Sequence, residues 1–197
     1  SAALVRLLCR ERWGIAPEFV EAAPDPAAML ASADAALIIG DPALRLSLRI
    51  EELFGKAPGG EPCCGGSGGE APVPGIETLY LYDVAHEWRE MTGLPCVLAI
   101  WVARRECVTP ELVANFLASK EYGQERIAEI SEAASEQLGL PANALAAYLR
   151  KNIDFSLDAE NLRGLERYYQ KCAGAGLIAE AKPLELAACP SSARAAG

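Results

Sequence analysis

The residues best placed to do chemistry lie in Ile38-Ile39-Gly40-Asp41-Pro42-Ala43-Leu44. An apolar run closed by Gly-Asp-Pro reads as a strand giving way to a helix. In α/β sheets ligands collect at the carboxyl ends of strands. Gly40 would let another group approach the backbone closely. The amides of Ala43 and Leu44, at the start of a helix, could face an anion. Asp41 serves equally well as a plain helix cap. Ser1 is the second candidate. It heads the apolar helix Ala2-Ala3-Leu4-Val5-Arg6-Leu7-Leu8-Cys9, where a hydroxyl and free amides can hold a carboxylate or simply cap the helix.

Other polar residues carry weaker signals. His86 is the single histidine; a general base also needs a cleft and an orienting partner, so beside Glu87 and Arg89 it reads as solvated or half-buried. One histidine rules out a histidine-rich metal site. Cys63-Cys64 lacks partner ligands at zinc spacing. Arg104-Arg105 closes an apolar run and reads as surface. The polar groups of Asn152-Ile153-Asp154-Phe155-Ser156-Leu157 read as satisfying their own backbone. Trp88 and Trp101 read as core.

These residues need a framework, and Tyr82–Arg104 organises it. Asp83 caps a helix that Gly93 ends and Pro95 forbids from continuing. The apolar run Cys96–Ala103 then reads as a strand buried on both faces. Glu18–Ala22, Asp34–Ile39 and Ile76–Tyr82 read as further strands. Helices are expected over 1–13 with Leu4, Val5, Leu8 and Cys9 inward, over Pro26–Ser32 behind Asp25, and from Asp41 to Phe54. After the buried strand, helices follow Thr109-Pro110, with Leu112, Val113, Phe116 and Leu117 inward and a break at Tyr122-Gly123. They continue to Leu138, over Ala142–Lys151, and behind Asp158. The glycine- and proline-rich stretch 55–75 reads as an exposed, mobile insertion. Residues 1–94 thus read as an α/β lobe, 95–105 as a crossing strand, 106–186 as the helical part of another lobe, and 187–197 as a tail.

The 197 residues are 51% hydrophobic and 23% charged, with a net charge of −9. That composition fits a globular chain, and the negative charge argues against a nucleic-acid surface. No apolar run approaches the ~20 residues of a membrane span. Seven scattered cysteines read as reduced thiols of a cytoplasmic protein. The chain opens without methionine, directly in a helix that a strand should precede, which reads as an N-terminally truncated piece.

Four segments taken together resemble one family: Ala35–Leu44; Tyr82-Asp83 through Trp88; Thr92-Gly93-Leu94-Pro95 through Trp101; and Asn152-Ile153-Asp154-Phe155-Ser156-Leu157-Asp158 with Asn161-Leu162. Their order and spacing are similar to the chorismate dehydratases of the futalosine route to menaquinone, over Ser1 to about Leu186. The resemblance implies a two-lobed α/β fold like class II periplasmic binding proteins, with three-layer αβα lobes, the first incomplete at its N-terminus, and substrate in the cleft. It implies a lyase that dehydrates chorismate to 3-[(1-carboxyvinyl)oxy]benzoate, with no cofactor and no metal; a homodimer is compatible with it. Ser1, Gly40, Asp41 and Ala43 would then bind substrate. No protein base stands out, so the substrate's own carboxylate is expected to take the proton. The long 55–75 loop, Cys96 and His86 depart from the family pattern. Two other readings remain open: the sister enzyme making 1,4-dihydroxy-6-naphthoate, and a solute-binding protein that captures a small acid without chemistry.

Overall fold

The computed structural model describes residues 1–54, 62–64 and 78–188. Its chain divides into two compact units. The first is Ser1–Leu98 with Asp158–Ala181; the second is Ala99–Leu157 with the residues from Lys182 onward. The chain therefore leaves the first unit after Leu98 and re-enters it at Asp158. The last long helix belongs with the opening one, rather than with the helical segment before it.

The core of the first unit is built on α1 (Ala2–Glu11). Leu4, Leu7 and Leu8 recur at the spacing that gives a helix one apolar face, and they are buried with Trp88 and Cys172. Leu7 thus takes the inward place expected of Val5, which is half-buried. Trp88 comes from α4 (Val84–Thr92), and Cys172 from α8 (Ala159–Gly174). Trp88 meets Tyr168 of α8 edge-on, with ring centroids 5.9 Å apart. A partly buried ion pair joins the end of α1 to α4: Arg12 Nε donates to the Glu87 carboxylate, and Glu87 is only 5% exposed. Lys171 of α8 pairs with Glu11 of α1.

Local chemistry fixes the helix ends. Asp83 accepts from the amides of Ala85 and His86, each at 2.8 Å, and Gly93 ends α4 at φ +71°. Asp25 caps α2 (Pro26–Leu30) through the amides of Ala27 and Ala28. Asp158 caps α8 through Glu160 and Asn161. Each cap stands where the sequence predicts it, because an Asp side chain reaches only amides two or three residues ahead.

The second unit is helical. Thr109 caps α5 (Pro110–Glu125) by accepting from Leu112 N. Helix α6 (Ile127–Leu138) packs on α7 (Ala142–Lys151), with Ile127, Leu140, Leu145 and Ala146 buried. Ser135 Oγ donates to Leu140 O at 2.6 Å and closes the turn between them. The break expected at Tyr122-Gly123 falls instead at Arg126, whose guanidinium lies over the Tyr122 ring at 3.7 Å.

The strands differ most from expectation. Among the described residues the one ladder is antiparallel, β1 (Pro62–Cys64) with β2 (Thr78–Tyr80), pairing Cys63 with Leu79. Part of the stretch expected to be structureless is therefore paired; the rest of 55–75 lies outside the described residues. The runs Glu18–Ala22, Asp34–Ile39 and Cys96–Ala103 form no strand there. The last has the pattern of a strand buried on both faces, yet Trp101 is 85% exposed and Val102 82%. Phe116 and Leu117, expected inward, are 42% and 37% exposed, and Phe116 packs on Trp101 with centroids 4.9 Å apart. The physical reason is that a strand is defined by a hydrogen-bonded neighbour, and no described segment supplies one to these runs.

Candidate functional site

Ser1 stands at the N-cap of α1, and its side chain makes no capping hydrogen bond. Its carbonyl accepts from Val5 N at 3.0 Å. Beside it is a small depression of about 60 Å³ lined by Leu4, Trp88, Cys96 and Tyr168. That is room for a carboxylate, well short of the ~300 Å³ at which pockets for whole small molecules begin. One wall comes from α1, one from α4, one from α8, and one from the residues after Pro95. The Trp88 indole N–H donates to Pro95 O at 3.1 Å, which fixes where Cys96 begins.

The groups around Ser1 are held neutral. Burial pushes the Cys96 thiol up to about 11, and the charge of Asp83 adds to this. Burial pushes the Tyr168 phenol up to about 12, reinforced by its hydrogen bond with Cys172. Both shifts follow from the cost of placing an anion among apolar groups. The depression therefore offers a thiol and a serine hydroxyl beside a phenol whose O–H is engaged with Cys172, and no carboxylate or imidazole lines it. It can bind and polarise an anionic group; it is poorly equipped to take a proton from carbon.

Gly40 adopts φ +68°, a conformation that explains a glycine there. A Cβ on it would meet nothing within 4 Å, so no described group approaches it. Helix α3 (Asp41–Phe54) begins one residue earlier than a cap at Asp41 would require. Leu44 N bonds Gly40 O at 3.1 Å, which leaves Asp41 as an exposed acid in the first turn and Ala43 half-buried behind Pro42. Among the described residues no hydrogen bond or ring contact joins Gly40, Asp41 or Ala43 to Ser1. His86 is exposed on α4. No cluster of three or more metal-ligating side chains occurs among the described residues, and no described helix is long and apolar enough to cross a membrane.

Sequence reasoning missed Tyr168, Cys96 and Trp88 as neighbours of Ser1. The usable signal was Tyr168 itself: a phenol on the apolar face of α8 must find a polar partner when buried. Its proximity to Ser1 comes from tertiary packing alone.

Two comparisons bear on this arrangement. The profile of a family described as menaquinone biosynthesis matches residues 1–174. A chorismate dehydratase of Thermus thermophilus is 30% identical over 169 residues, which is 85% of this chain. The chain spans 57% of that relative's length. The chain belongs to the menaquinone-biosynthesis family.

Proposed function

From that membership we propose that the chain is part of a lyase that dehydrates chorismate to 3-[(1-carboxyvinyl)oxy]benzoate, on the futalosine route to menaquinone. The reading extends to a cytoplasmic protein with a two-lobed fold like class II periplasmic binding proteins, working as a homodimer. The return of the chain to the first unit at Asp158 supports a two-lobed plan. The relative's name supports the substrate.

The reaction is a 1,2-elimination. A ring C–H bond and the neighbouring C–O bond break, a ring double bond forms, and proton and hydroxide leave as water. Aromatisation drives it, so the protein chiefly has to hold a dianion in a reactive conformer and steady the departing oxygen. The observation that carries this reading is the family match over residues 1–174, and the depression at Ser1 is the candidate carboxylate subsite. Ser1 holds a substrate carboxylate there, beside the Tyr168 ring, and the substrate's other carboxylate accepts the ring proton. Gly40, Asp41 and Ala43 contribute backbone contacts to the ring and its substituents.

The test is incubation with chorismate, following the aromatic product by chromatography. The chain is assayed alone and supplemented with the segment of the Thermus enzyme that the match leaves uncovered. Product in either sample is expected. Binding of chorismate without product in both would turn the reading toward a solute-binding protein; neither binding nor product would overturn it.

A further inference from the structure

We propose that the second unit carries a binding site of its own for a small organic acid with an apolar ring. The site is a depression of about 410 Å³ between α5, the head of α6, the end of α7 and the segment 153–156. Its volume lies within the ~300–1,000 Å³ typical of small-molecule pockets.

The lining divides by chemistry. Ile127, Leu149 and Ile153 are buried or half-buried, and Phe155 adds an aromatic face. These groups give a ring an apolar surface to cover. Lys120 and Arg150 stand at the rim, exposed, and neither makes an ion pair among the described residues. Two cations without an acid partner beside one apolar depression leave their charge available to an anion from outside. The acid in the lining is occupied: Asp154 Oδ1 accepts from Ser156 N at 2.8 Å and from Ser156 Oγ at 2.6 Å. Gln124 adds an amide.

The ligand class follows. Two cations and one amide suit a carboxylate, with a guanidinium able to grip both its oxygens. A bare phosphate would leave the apolar floor uncovered, whereas a ring fills it. The inference does not rest on dehydratase activity, and this lining shares no residue with that of Ser1.

The test is a titration of the 197-residue chain by amide-resolved NMR, with isophthalate, benzoate and inorganic phosphate as probes. Isophthalate is expected to shift the amides of Lys120, Gln124, Arg150 and 153–156 saturably at millimolar concentration. Lys120→Gln and Arg150→Gln, at exposed positions, should each weaken it about tenfold, as expected for loss of one charge-assisted hydrogen bond. Asp154→Asn, which keeps the acceptor and removes a negative charge, should tighten it. The proposal is overturned by the absence of saturable shifts at those amides, by phosphate binding as tightly as isophthalate, or by affinities that ignore all three charge changes.

Discussion

Gly164 and Pro95 meet backbone to backbone: a Cβ on Gly164 would stand 2.3 Å from the Pro95 carbonyl oxygen. The same oxygen accepts the Trp88 indole N–H at 3.1 Å. Helix α8 is therefore seated on the turn that leads out of α4, and only a residue without a side chain fits at the contact. Gly164→Ala should destabilise the first unit by about 1–3 kcal/mol, the usual cost of overpacking. Trp88→Phe, which removes the donor and leaves the carbonyl unpaired, also loses stability. Urea denaturation followed by far-UV circular dichroism reads both; a Gly164→Ala chain as stable as the parent would refute the contact.

The pair Arg12–Glu87 makes an asymmetric prediction. Glu87 is 5% exposed, while the Arg12 side chain is 31% exposed. Removing Arg12 strands a buried carboxylate; removing the charge of Glu87 leaves an arginine that can turn to water. Arg12→Met should therefore cost more than Glu87→Gln, with about 3 kcal/mol as the scale for breaking a buried pair and a smaller value for one partly open to solvent. Equal losses in the two variants would contradict the assigned burial.

Ser131 predicts a gain. Its hydroxyl is buried, the residue 1% exposed, and it has no hydrogen-bond partner, on α6 where alanine is the better helix former. Ser131→Ala removes an uncompensated desolvation cost and should raise stability by up to about 1 kcal/mol. A lower melting temperature in this variant would mean the hydroxyl does have a partner.

The neutral groups at Ser1 set a pH dependence. Cys96 is raised from 9.0 to about 11 and Tyr168 from 10.0 to about 12 in the folded chain. In each case the unfolded chain loses its proton first, so from about pH 9 to 12 the folded state binds more protons than the unfolded one. Stability is full below about pH 9 and falls as pH rises through that window. Cys96→Ala and Tyr168→Phe should each flatten the fall in an alkaline denaturation series. An unchanged slope in both would show that the two groups are not desolvated.

What is legible in the sequence is decided within a few residues. Asp25, Asp83, Thr109 and Asp158 each cap the helix predicted for them, because a cap needs only its own next turn. The run Cys96–Ala103 has the pattern of a buried strand, but its fate depends on a partner that its own pattern cannot specify. The candidate site is legible only in part. Ser1 follows from its helix, but Tyr168 reaches it through the packing of α1 against α8, which no local spacing encodes. Gly164 looks like an interior helix glycine, and only the Pro95 carbonyl explains it.

The uneven burial of the tryptophans makes the chain its own optical gauge. Trp13 and Trp88 lie in the first unit, Trp88 at 1% exposure, while Trp101 lies in the second at 85%. A buried indole emits toward the blue and resists an aqueous quencher; a solvated one emits toward the red and is quenched readily. Acrylamide should extinguish Trp101 first and leave a blue-shifted residue of light from the first unit. Loss of that blue component on heating would time the melting of the first unit alone, without any added label.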